Sequence, residues 1–195
     1  MHKRRSALYP KVMSNDLSDT STQVHEELAA FLAAEAPSAK LFSHQPSKTS
    51  EESMEARHSA SGERVTGAKA LLIKMDVKDR PDVFAVIILP GFSKLDSKAM
   101  KKELKVRVAG FRSFRFATPE EMDQKARGMQ PGKMPPFGRP VFPDIDLTFI
   151  DEALKEHDKI GFNAANFEKS IIMDTDDYFK IVTSDGVFPC SAEEA

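Results

Sequence analysis

The chain has 195 residues, a formal net charge of −2 at pH 7 and 30% charged residues. This length suits one domain with a sizeable core, and the nearly balanced charge means that any surface for nucleic acid must be local. The single cysteine, Cys190, excludes an internal disulfide framework and a cluster of thiolates around zinc. No apolar run approaches the roughly 20 residues of a membrane-spanning helix, so we expect a cytoplasmic protein that does not enter a membrane.

Residues 1–20 have the composition of a basic arm. Four lysines and arginines precede the first acid, Asp16: Lys3, Arg4, Arg5 and Lys11. We predict that this arm is disordered, as chain termini often are when nothing holds them down. A weak organelle-targeting peptide is the alternative, because it would have the same basic character.

Residues 21–183 are predicted to form a single domain. Thr20 carries a capping signal, and the apolar residues that follow at helical spacing predict a helix that ends before Pro37. A short strand is predicted over residues 40–44. A capping box that begins at Thr49 then starts a second helix.

Two apolar runs, residues 66–74 and 83–89, are predicted to pair as a β-hairpin. The second run is continuously apolar, which is typical of a strand that is covered on both faces. Along the first run, the alternation of side chains places Lys69 on the same face as Leu71 and Ile73. If that face is turned to the core, Lys69 lies at the rim of a pocket, where an anion or another ligand stabilises its charge. The alternative is that Lys69 reaches water from the strand end, as long cationic side chains commonly do.

A helix capped by Asp96 is predicted to carry a basic stripe opposite its apolar side. The stripe and the arginines that follow it comprise Lys94, Lys98, Lys101, Lys102, Lys105, Arg107, Arg112 and Arg115. Such a patch is suited to phosphate groups. An ordinary solvated helix face is the alternative.

Residues 128–143, which follow a helix capped by Thr118, combine three glycines with five prolines. This density forbids regular structure and also restricts the backbone. Irregular loops of this length inside a domain are usually functional or disordered. The apolar side chains of Met129, Met134 and Phe137 favour an ordered loop.

Two strands, residues 158–165 and 170–173, and a helix capped by Asp174 are predicted to complete the domain. Residues 184–195 contain turn-forming and acidic residues, and we predict that they form a flexible tail. Because strands and helices occur in mixed order with at least one hairpin, we predict an α+β fold with a mixed sheet.

Several kinds of chemistry lack their sequence signatures. The five histidines fall at no metal-ligand spacing, so no metal is expected. The sequence has no Gly-x-Ser-x-Gly elbow, no phosphate loop that ends in Gly-Lys-Ser or Gly-Lys-Thr, and no dinucleotide fingerprint, so no cofactor is expected. Three features remain, which are a lysine at a pocket rim, a stiff loop that can present backbone amides, and a basic surface. This combination suits an anionic or carbonyl-bearing ligand.

Six short segments occur in one order along the chain: residues 67–74 (GAKALLIK), 95–96 (LD), 117–120 (ATPE), 132–138 (GKMPPFG), 160–165 (IGFNAA) and 169–172 (KSII). In this order and spacing they resemble the YbaK/prolyl-tRNA-synthetase-associated domain family. The resemblance covers roughly residues 41–182. It implies a mixed α+β fold whose sheet is partly barrel-like and flanked by helices.

The resemblance also implies an activity, which is hydrolysis of the ester that joins a wrong amino acid to tRNA, in trans and without a metal. Lys69 matches the lysine that is central to activity in the family, and Gly132 and Asn163 complete the implied catalytic set. The implied substrate-binding residues are Met134, Pro135, Pro136, Phe137, Gly138, Phe162 and Ser170. The tRNA phosphates would then contact the basic patch, through Lys98, Lys101, Lys102 and Arg112. The implied partners are mischarged tRNA and an aminoacyl-tRNA synthetase.

Two positions depart from the family pattern. Asn163 stands where several members carry histidine or serine, and Ala70 departs from the Lys-Asn pair of the alanine-editing branch. The combination resembles free-standing members that act on small or hydroxylated amino acids, so a substrate of the alanine, serine or threonine class is expected. The departures also motivate an alternative, a non-catalytic tRNA-binding or synthetase-docking module. A small-molecule binder that uses the same pocket is a third hypothesis.

Overall fold

A computed structural model describes residues 17–47 and 49–192. Over this part of the chain it has five α-helices and ten strands in a mixed α+β arrangement, which confirms the predicted fold class. The helices are α1 (Leu17–Glu35), α2 (Ser50–Ser61), α3 (Ser97–Arg107), α4 (Pro119–Lys125) and α5 (Thr175–Ile181), with a 3-10 helix over Glu152–Glu156. The strands are β1 (Lys40–Ser43), β2 (Thr66–Val77), β3 (Arg80–Pro90), β4 (Lys94–Leu95), β5 (Phe111–Phe116), β6 (Leu147–Asp151), β7 (Lys159–Asn166), β8 (Lys169–Asp174), β9 (Gly186–Phe188) and β10 (Ser191–Ala192). None of these helices has both the length and the hydrophobicity that crossing a bilayer requires.

Strand β2 organises the main sheet, whose order is β1-β8-β7-β2-β3-β6-β9 with β5 added beside β2. One edge of β2 forms the predicted antiparallel hairpin with β3. On the other edge, Thr66 and Gly67 pair in parallel with β7, whereas residues 73–77 pair with β5. Residues 68–71, between these two partners, lie in the wall of the site described below. Parallel and antiparallel pairs occur together, as the prediction of a mixed sheet requires.

Strand β3 is buried on both faces, as its continuous apolar sequence predicted. Phe84 and Ile88 belong to a core that also contains α1 residues, whereas Ala85 and Ile87 belong to a second core against α3. Full burial of a side chain such as Ile87 contributes roughly 1.5–3 kcal/mol relative to exposure. The hairpin is therefore anchored between two cores, and β2 is held with it.

Capping residues set three of the helix starts. Thr49 and Thr118 form the predicted capping boxes of α2 and α4, and Asp96 accepts two backbone N–H groups at the start of α3. Each such cap satisfies N–H groups that the helix itself leaves without a partner. Helix α5 begins after Asp174, which is its N-cap residue as predicted, although the Asp174 side chain makes no capping hydrogen bond.

The first helix begins earlier than predicted. Helix α1 starts at Leu17, so Thr20 lies inside the helix rather than at its cap, and the end of the predicted arm over residues 1–20 is helical. Serine, threonine and aspartate are favoured at caps but are tolerated within helices, which makes one such residue a weak boundary marker. The remainder of the predicted arm, residues 1–16, lies outside the described residues.

The predicted flexible tail over residues 184–195 is corrected by the structure as far as Ala192. Gly186–Phe188 forms a parallel strand beside β6, and Ser191–Ala192 pairs with β4. Cys190 between them is buried, and its N–H donates to the carboxylate of Asp151 at 2.8 Å. Strands of two or three residues depend on their partners more than on their own sequence, which explains why the pattern did not indicate them.

The glycine- and proline-rich segment, residues 128–143, forms neither helix nor strand, as predicted. Phe137 and Phe142 in it are completely buried. The Tyr178 hydroxyl donates to the carbonyl of Pro136 at 2.6 Å. The segment is thus an ordered part of the domain that is anchored by apolar burial and by α5.

Glu121 links α4 to two strands of the sheet. Its carboxylate accepts two hydrogen bonds of 2.7 Å from Arg115 and one of 2.9 Å from the N–H of Thr118, and it lies 3.4 Å from the Lys74 ammonium. The Arg115 guanidinium, with help from the Thr118 N–H, lowers the pKa of Glu121 from its ordinary value of 4.5 to about 2. The charged carboxylate therefore contributes to stability above the unfolded-state pKa, and this contribution is lost as the pH falls toward the folded-state pKa.

We expect Glu121→Gln to flatten the loss of stability in acid. The free energy of unfolding of the natural protein should fall more steeply between about pH 4.5 and pH 2 than that of the variant, because only the carboxylate takes up a proton there. Urea unfolding at a series of pH values measures this difference. Glu55→Gln, at an exposed position on α2, is the matched control and should follow the natural protein. Parallel curves for the natural protein and Glu121→Gln would contradict the role of this carboxylate.

Candidate active site

Lys69 lies on β2 opposite Leu89, and its ammonium group is held at the wall of a cavity. The Lys69 Nζ donates to the carbonyl oxygen of Gly91 at 3.0 Å. The side chain is partly buried rather than extended along the surface. The structure thus places Lys69 as the pocket interpretation expected, with a backbone carbonyl that fixes the position of its charge.

The cavity has a volume of about 230 Å³ and is formed by four parts of the fold. They are the first half of β2 with the turn that follows β3, the start of α2, the glycine- and proline-rich segment, and β7. The lining residues are Thr49, Ser50, Ser53, Arg57, Gly67, Ala68, Lys69, Ala70, Leu71, Gly91, Phe92, Gly132, Met134, Phe162 and Asn163. No aspartate or glutamate occurs in this described lining, whereas lysine and arginine both do.

Half of the predicted catalytic and substrate-binding residues meet in this cavity. Lys69 and Asn163 face it from two neighbouring strands, and Gly132 and Met134 face it from the loop, with Phe162 beside Asn163. These residues are far apart in the sequence. The parallel pairing of β2 with β7 brings their strands together.

The other five predicted residues do not line the cavity, namely Pro135, Pro136, Phe137, Gly138 and Ser170. Phe137 is completely buried and stacks edge-to-face on Phe162 and Tyr178, with ring centroids 5.7 and 5.4 Å apart. Gly138 lies so close to Thr148 that a Cβ at this position would be 2.0 Å from the threonine Oγ1. Phe137 and Gly138 therefore pack against the body of the domain, and contact of these five residues with substrate stays a prediction.

A chain of hydrogen bonds holds Asn163 and, through it, the loop. The Asn163 Nδ2 donates to the Gly132 carbonyl at 2.7 Å, and its Oδ1 accepts from the buried Ser170 hydroxyl at 3.2 Å. The Ser170 Oγ lies 2.7 Å from Nε2 of His44, whose Nδ1 lies 2.7 Å from the carbonyl of Gln45. A carbonyl can only accept, so Nδ1 of His44 carries a hydrogen. When the ring is neutral, the single Ser170 hydrogen serves either His44 or Asn163, and both contacts are satisfied when the ring is charged.

Two backbone N–H groups belong to loop residues that line the cavity. Lys133 and Phe137 use their amides inside the segment, and proline residues have none. Among the described residues, the amides of Gly132 and Met134 make no hydrogen bond with another protein group. Both residues line the cavity.

Arg57 is a cavity residue that the sequence interpretation missed. It lies on α2 one turn after Ser53, and both are buried. Burial alone lowers the pKa of the Arg57 guanidinium to about 10, so the group remains charged at neutral pH. Residues four apart share one face of a helix. The spacing of Arg57 from Ser53 was therefore the sequence signal that could have indicated that both face the same way.

The predicted tRNA-binding residues lie on α3 and β5, and they do not line the cavity. Lys98, Lys101 and Lys102 are exposed along α3. The Lys101 ammonium lies 5.9 Å from the centroid of the Phe114 ring, and the Arg112 guanidinium lies 3.7 Å from the carboxylate of Asp76. The surface is basic, and both interpretations of its sequence, a phosphate-binding patch and a solvated helix face, remain consistent with these positions.

The sequence pattern of the aminoacyl-tRNA editing domain family matches residues 44–181. The chain belongs to this family, which confirms the resemblance seen in the sequence, and its class is that of a hydrolytic aminoacyl-tRNA deacylase. The Multifunctional Ser/Thr-tRNA deacylase ProXp-y of Escherichia coli (strain K12) is 30% identical to it over 158 residues, which cover 80% of this chain and 87% of that protein.

Two solved structures show the same fold. The hypothetical protein APE2540 has a TM-score of 0.66 and 17% identity, over 85% of this chain and 99% of its own. A candidate trans-editing enzyme for prolyl-tRNA synthetase has a TM-score of 0.64 and 16% identity, over 87% of this chain and 97% of its own. At these identities the likeness concerns the fold alone.

We expect Ser170→Ala to loosen the loop. The change removes the hydroxyl between His44 and Asn163, and loss of a partner by a buried polar group costs about 1–3 kcal/mol. The melting temperature should fall, and amide hydrogen exchange over residues 128–138 should become faster because Asn163 no longer holds Gly132 firmly. Ser113→Ala, at an exposed position on β5, is the matched control. Unchanged exchange in the loop of Ser170→Ala would show that this hydrogen-bond chain does not hold it.

Proposed function

We propose that this protein acts in trans on mischarged tRNA and removes a small amino acid of the alanine, serine or threonine class. One observation carries the proposal, which is that Lys69, Asn163 and the loop residues Gly132 and Met134 line a single cavity whose described lining contains no acid. The name of the Escherichia coli relative, a Ser/Thr-tRNA deacylase, supports the substrate class.

The reaction is hydrolysis of an ester. The oxygen of a water molecule attacks the carbonyl carbon, the bond between that carbon and the ribose oxygen breaks, and the ribose oxygen takes up a proton. The neighbouring ribose hydroxyl or a second water carries this proton from the attacking water. The products are a free amino acid and an uncharged tRNA.

The amides of Gly132 and Met134 are placed to donate to the carbonyl oxygen as it gains negative charge. Donors that are fixed before the reaction stabilise such an oxyanion without reorganisation, and removal of one donor from an enzyme typically costs 10² to 10³ in rate. The hydrogen bond from Asn163 to the Gly132 carbonyl fixes the turn that carries these amides. Asn163 is therefore a positioning residue in this mechanism.

Lys69 supplies positive charge beside the reacting ester. One of its N–H bonds is directed at the Gly91 carbonyl, which fixes the ammonium group on β2. From this position the charge acts on the substrate, either on the developing oxyanion or on the phosphate next to the terminal ribose. A charge held in a partly buried site acts more strongly than the same charge in water.

The size of the cavity favours a small side chain. Sites for drug-sized ligands usually have volumes of roughly 300–1,000 Å³, and this cavity has about 230 Å³. The Met134 and Phe162 side chains close its inner part, and Phe92 stands at its edge with 37% exposure. An aminoacyl group with a short side chain fits inside, and the nucleotide remains at the mouth.

We expect Lys69→Ala to lower kcat/KM for mischarged tRNA by at least about 100-fold, because a charge next to the reacting carbonyl is removed. The dissociation constant for tRNA should change little, since most phosphate contacts lie elsewhere on the tRNA. Deacylation of Ala-, Ser- and Thr-tRNA and a tRNA binding titration measure the two quantities. Lys78→Ala, at an exposed position in the hairpin, is the control. Natural turnover in Lys69→Ala would remove Lys69 from the reaction, and a natural protein that binds tRNA but hydrolyses none of these esters would support the non-catalytic module.

We expect the triple change of Lys98, Lys101 and Lys102 to glutamine to weaken tRNA binding and to flatten its salt dependence. Each phosphate that a lysine neutralises releases counterions, so the slope of log K against log salt should become shallower by about 0.7–0.9 for each phosphate that the variant no longer neutralises. Binding titrations at several salt concentrations give this slope. Lys155→Gln, at an exposed position on the 3-10 helix, serves as the control. An unaltered slope in the triple variant would exclude the α3 patch from the tRNA surface.

A further inference from the structure

A line of hydrogen bonds connects a histidine near the protein surface with the loop at the cavity. His44 follows β1, is half-buried, and lines an open groove between the end of β1 and α2. Its Nε2 lies 2.7 Å from the hydroxyl of Ser170, which is completely buried. The Ser170 Oγ lies 3.2 Å from the Asn163 Oδ1, and the Asn163 Nδ2 donates to the Gly132 carbonyl at 2.7 Å. These four residues form a relay from the surface to the cavity.

The charge of the imidazole decides where the Ser170 hydrogen points. Nδ1 of His44 carries a hydrogen because it lies 2.7 Å from the Gln45 carbonyl. In the neutral ring Nε2 is therefore an acceptor, and it competes with Asn163 for the one hydrogen of Ser170. The shorter contact, 2.7 Å against 3.2 Å, favours His44. In the charged ring Nε2 is a donor, so the Ser170 hydrogen is left for Asn163.

Asn163 holds the loop most firmly when both ends of its amide are bonded. The last torsion of an asparagine side chain is soft, so one hydrogen bond does not fix the amide plane. With bonds to Ser170 and to the Gly132 carbonyl, the amide ties the loop to a buried residue of β8. When Ser170 turns its hydrogen to His44, the Asn163 Oδ1 faces another oxygen and this end of the contact is lost. The charge of His44 therefore sets how firmly Gly132 is held.

Other charged groups lie on the elements around the relay. Helix α2 lies across the groove, β8 pairs with β1, and α1 packs on β7. The charged groups that these elements place at the groove or beside the relay are Glu52, Glu55, Glu168, Lys169 and His25. Nδ1 of His25 lies 2.7 Å from the carbonyl of Ala164, and its Nε2 lies 3.2 Å from the Lys169 Nζ. With these partners, the charge of His25 does not redirect the Ser170 hydrogen.

We propose that His44 is a positioning residue that, in its charged form, fixes the loop around Gly132 through Ser170 and Asn163. The loop is held less firmly when the ring is neutral. Histidine is the side chain that ordinarily changes its charge between pH 5 and 8, so the relay makes the loop respond to pH in this range. The consequence for deacylation rests on the proposed function, in which the loop lies at the ester carbonyl. The coupling of His44 to the loop is a property of the fold and is measured without tRNA.

Amide hydrogen exchange in the free protein tests the coupling. The protection of residues 128–138 is measured at pH 5.5 and at pH 7.5, relative to an unstructured peptide of the same sequence at the same pH. This reference removes the intrinsic pH dependence of exchange. We expect protection in the natural protein to be about two- to tenfold higher at pH 5.5, which is the net effect of one hydrogen bond.

Three variants separate this coupling from a purely structural role. His44→Phe removes the acceptor that competes for the Ser170 hydrogen, so protection should be high and equal at both pH values. A histidine that only filled space would leave a looser loop when replaced. Ser170→Ala interrupts the relay, and protection should be low and equal at both pH values. His157→Phe, the matched control, changes a half-buried histidine that contacts Thr66, and it should keep the natural pH dependence.

Deacylation by the same proteins tests the consequence for the reaction. The ratio of kcat in His44→Phe to kcat in the natural protein should rise from about one at pH 5.5 to about two to ten at pH 7.5, because only the natural loop loosens. KM should not change, since His44 does not line the cavity. A ratio that stays at one would overturn the positioning role of His44.

Several exchange results would also overturn the inference. They are equal protection at both pH values in the natural protein, a pH dependence that survives in His44→Phe or Ser170→Ala, low protection in His44→Phe, and loss of the pH dependence in His157→Phe. If His44→Phe does not fold, Ser170→Ala and His157→Phe give the comparison. The expected exchange pattern in a protein that hydrolyses no aminoacyl-tRNA would keep the coupling and remove the proposed function. Hydrolysis without that pattern would do the reverse.

Discussion

The site depends on the close approach of three backbone segments at the start of β2. The N–H of Gly91 donates to the carbonyl of Gly67 at 2.6 Å, and a Cβ on Gly91 would lie 3.2 Å from the Gly67 Cα. Gly161 lies on the other side of Gly67 as its partner in β7. This contact directs the Gly91 carbonyl to the Lys69 ammonium and leaves the space that Arg57 fills. Because glycine has no Cβ, three strands can meet here while two cationic side chains share the opening between them.

Local patterns in the sequence were sufficient for the framework of the fold. The period-two alternation of β2 and the apolar run of β3 predicted the hairpin and the face that carries Lys69, since side-chain direction in a strand follows from position alone. The capping boxes at Thr49 and Thr118 predicted two helix starts, because the interactions of a cap are made within four residues. The composition of residues 128–143 likewise predicted an irregular but ordered segment, since glycine and proline act on their own backbone dihedrals.

The missed features depend on contacts between distant parts of the chain. Gly186–Phe188 is a strand because it pairs with the edge of β6, and the sequence of these three residues does not indicate that pairing. The burial of Arg57 depends on glycines in β2 and β7, so helical spacing alone was insufficient. Phe137 was assigned to the substrate, but an irregular loop has no period from which the direction of a side chain can be deduced, and its ring faces the core. Ser170 was likewise assigned to the substrate, but its hydroxyl donates to Asn163, and the sequence pattern does not indicate this contact.

The inner limit of the cavity is set by the core rather than by mobile side chains. Phe162 lines the cavity on one side and stacks on Phe137 on the other, and Phe137 stacks in turn on Tyr178. Movement of the Phe162 ring would therefore disturb a cluster that is completely buried, and the Tyr178 hydroxyl also anchors the Pro136 carbonyl of the loop. Protein interiors are close-packed, so such a wall gives way only at a cost of about 1–3 kcal/mol for an inserted methylene. One added methylene in a substrate is typically worth about 10- to 200-fold in discrimination. The aromatic cluster can thus act as the size limit for the aminoacyl group, and a change of specificity would require repacking behind the wall as well as at its surface.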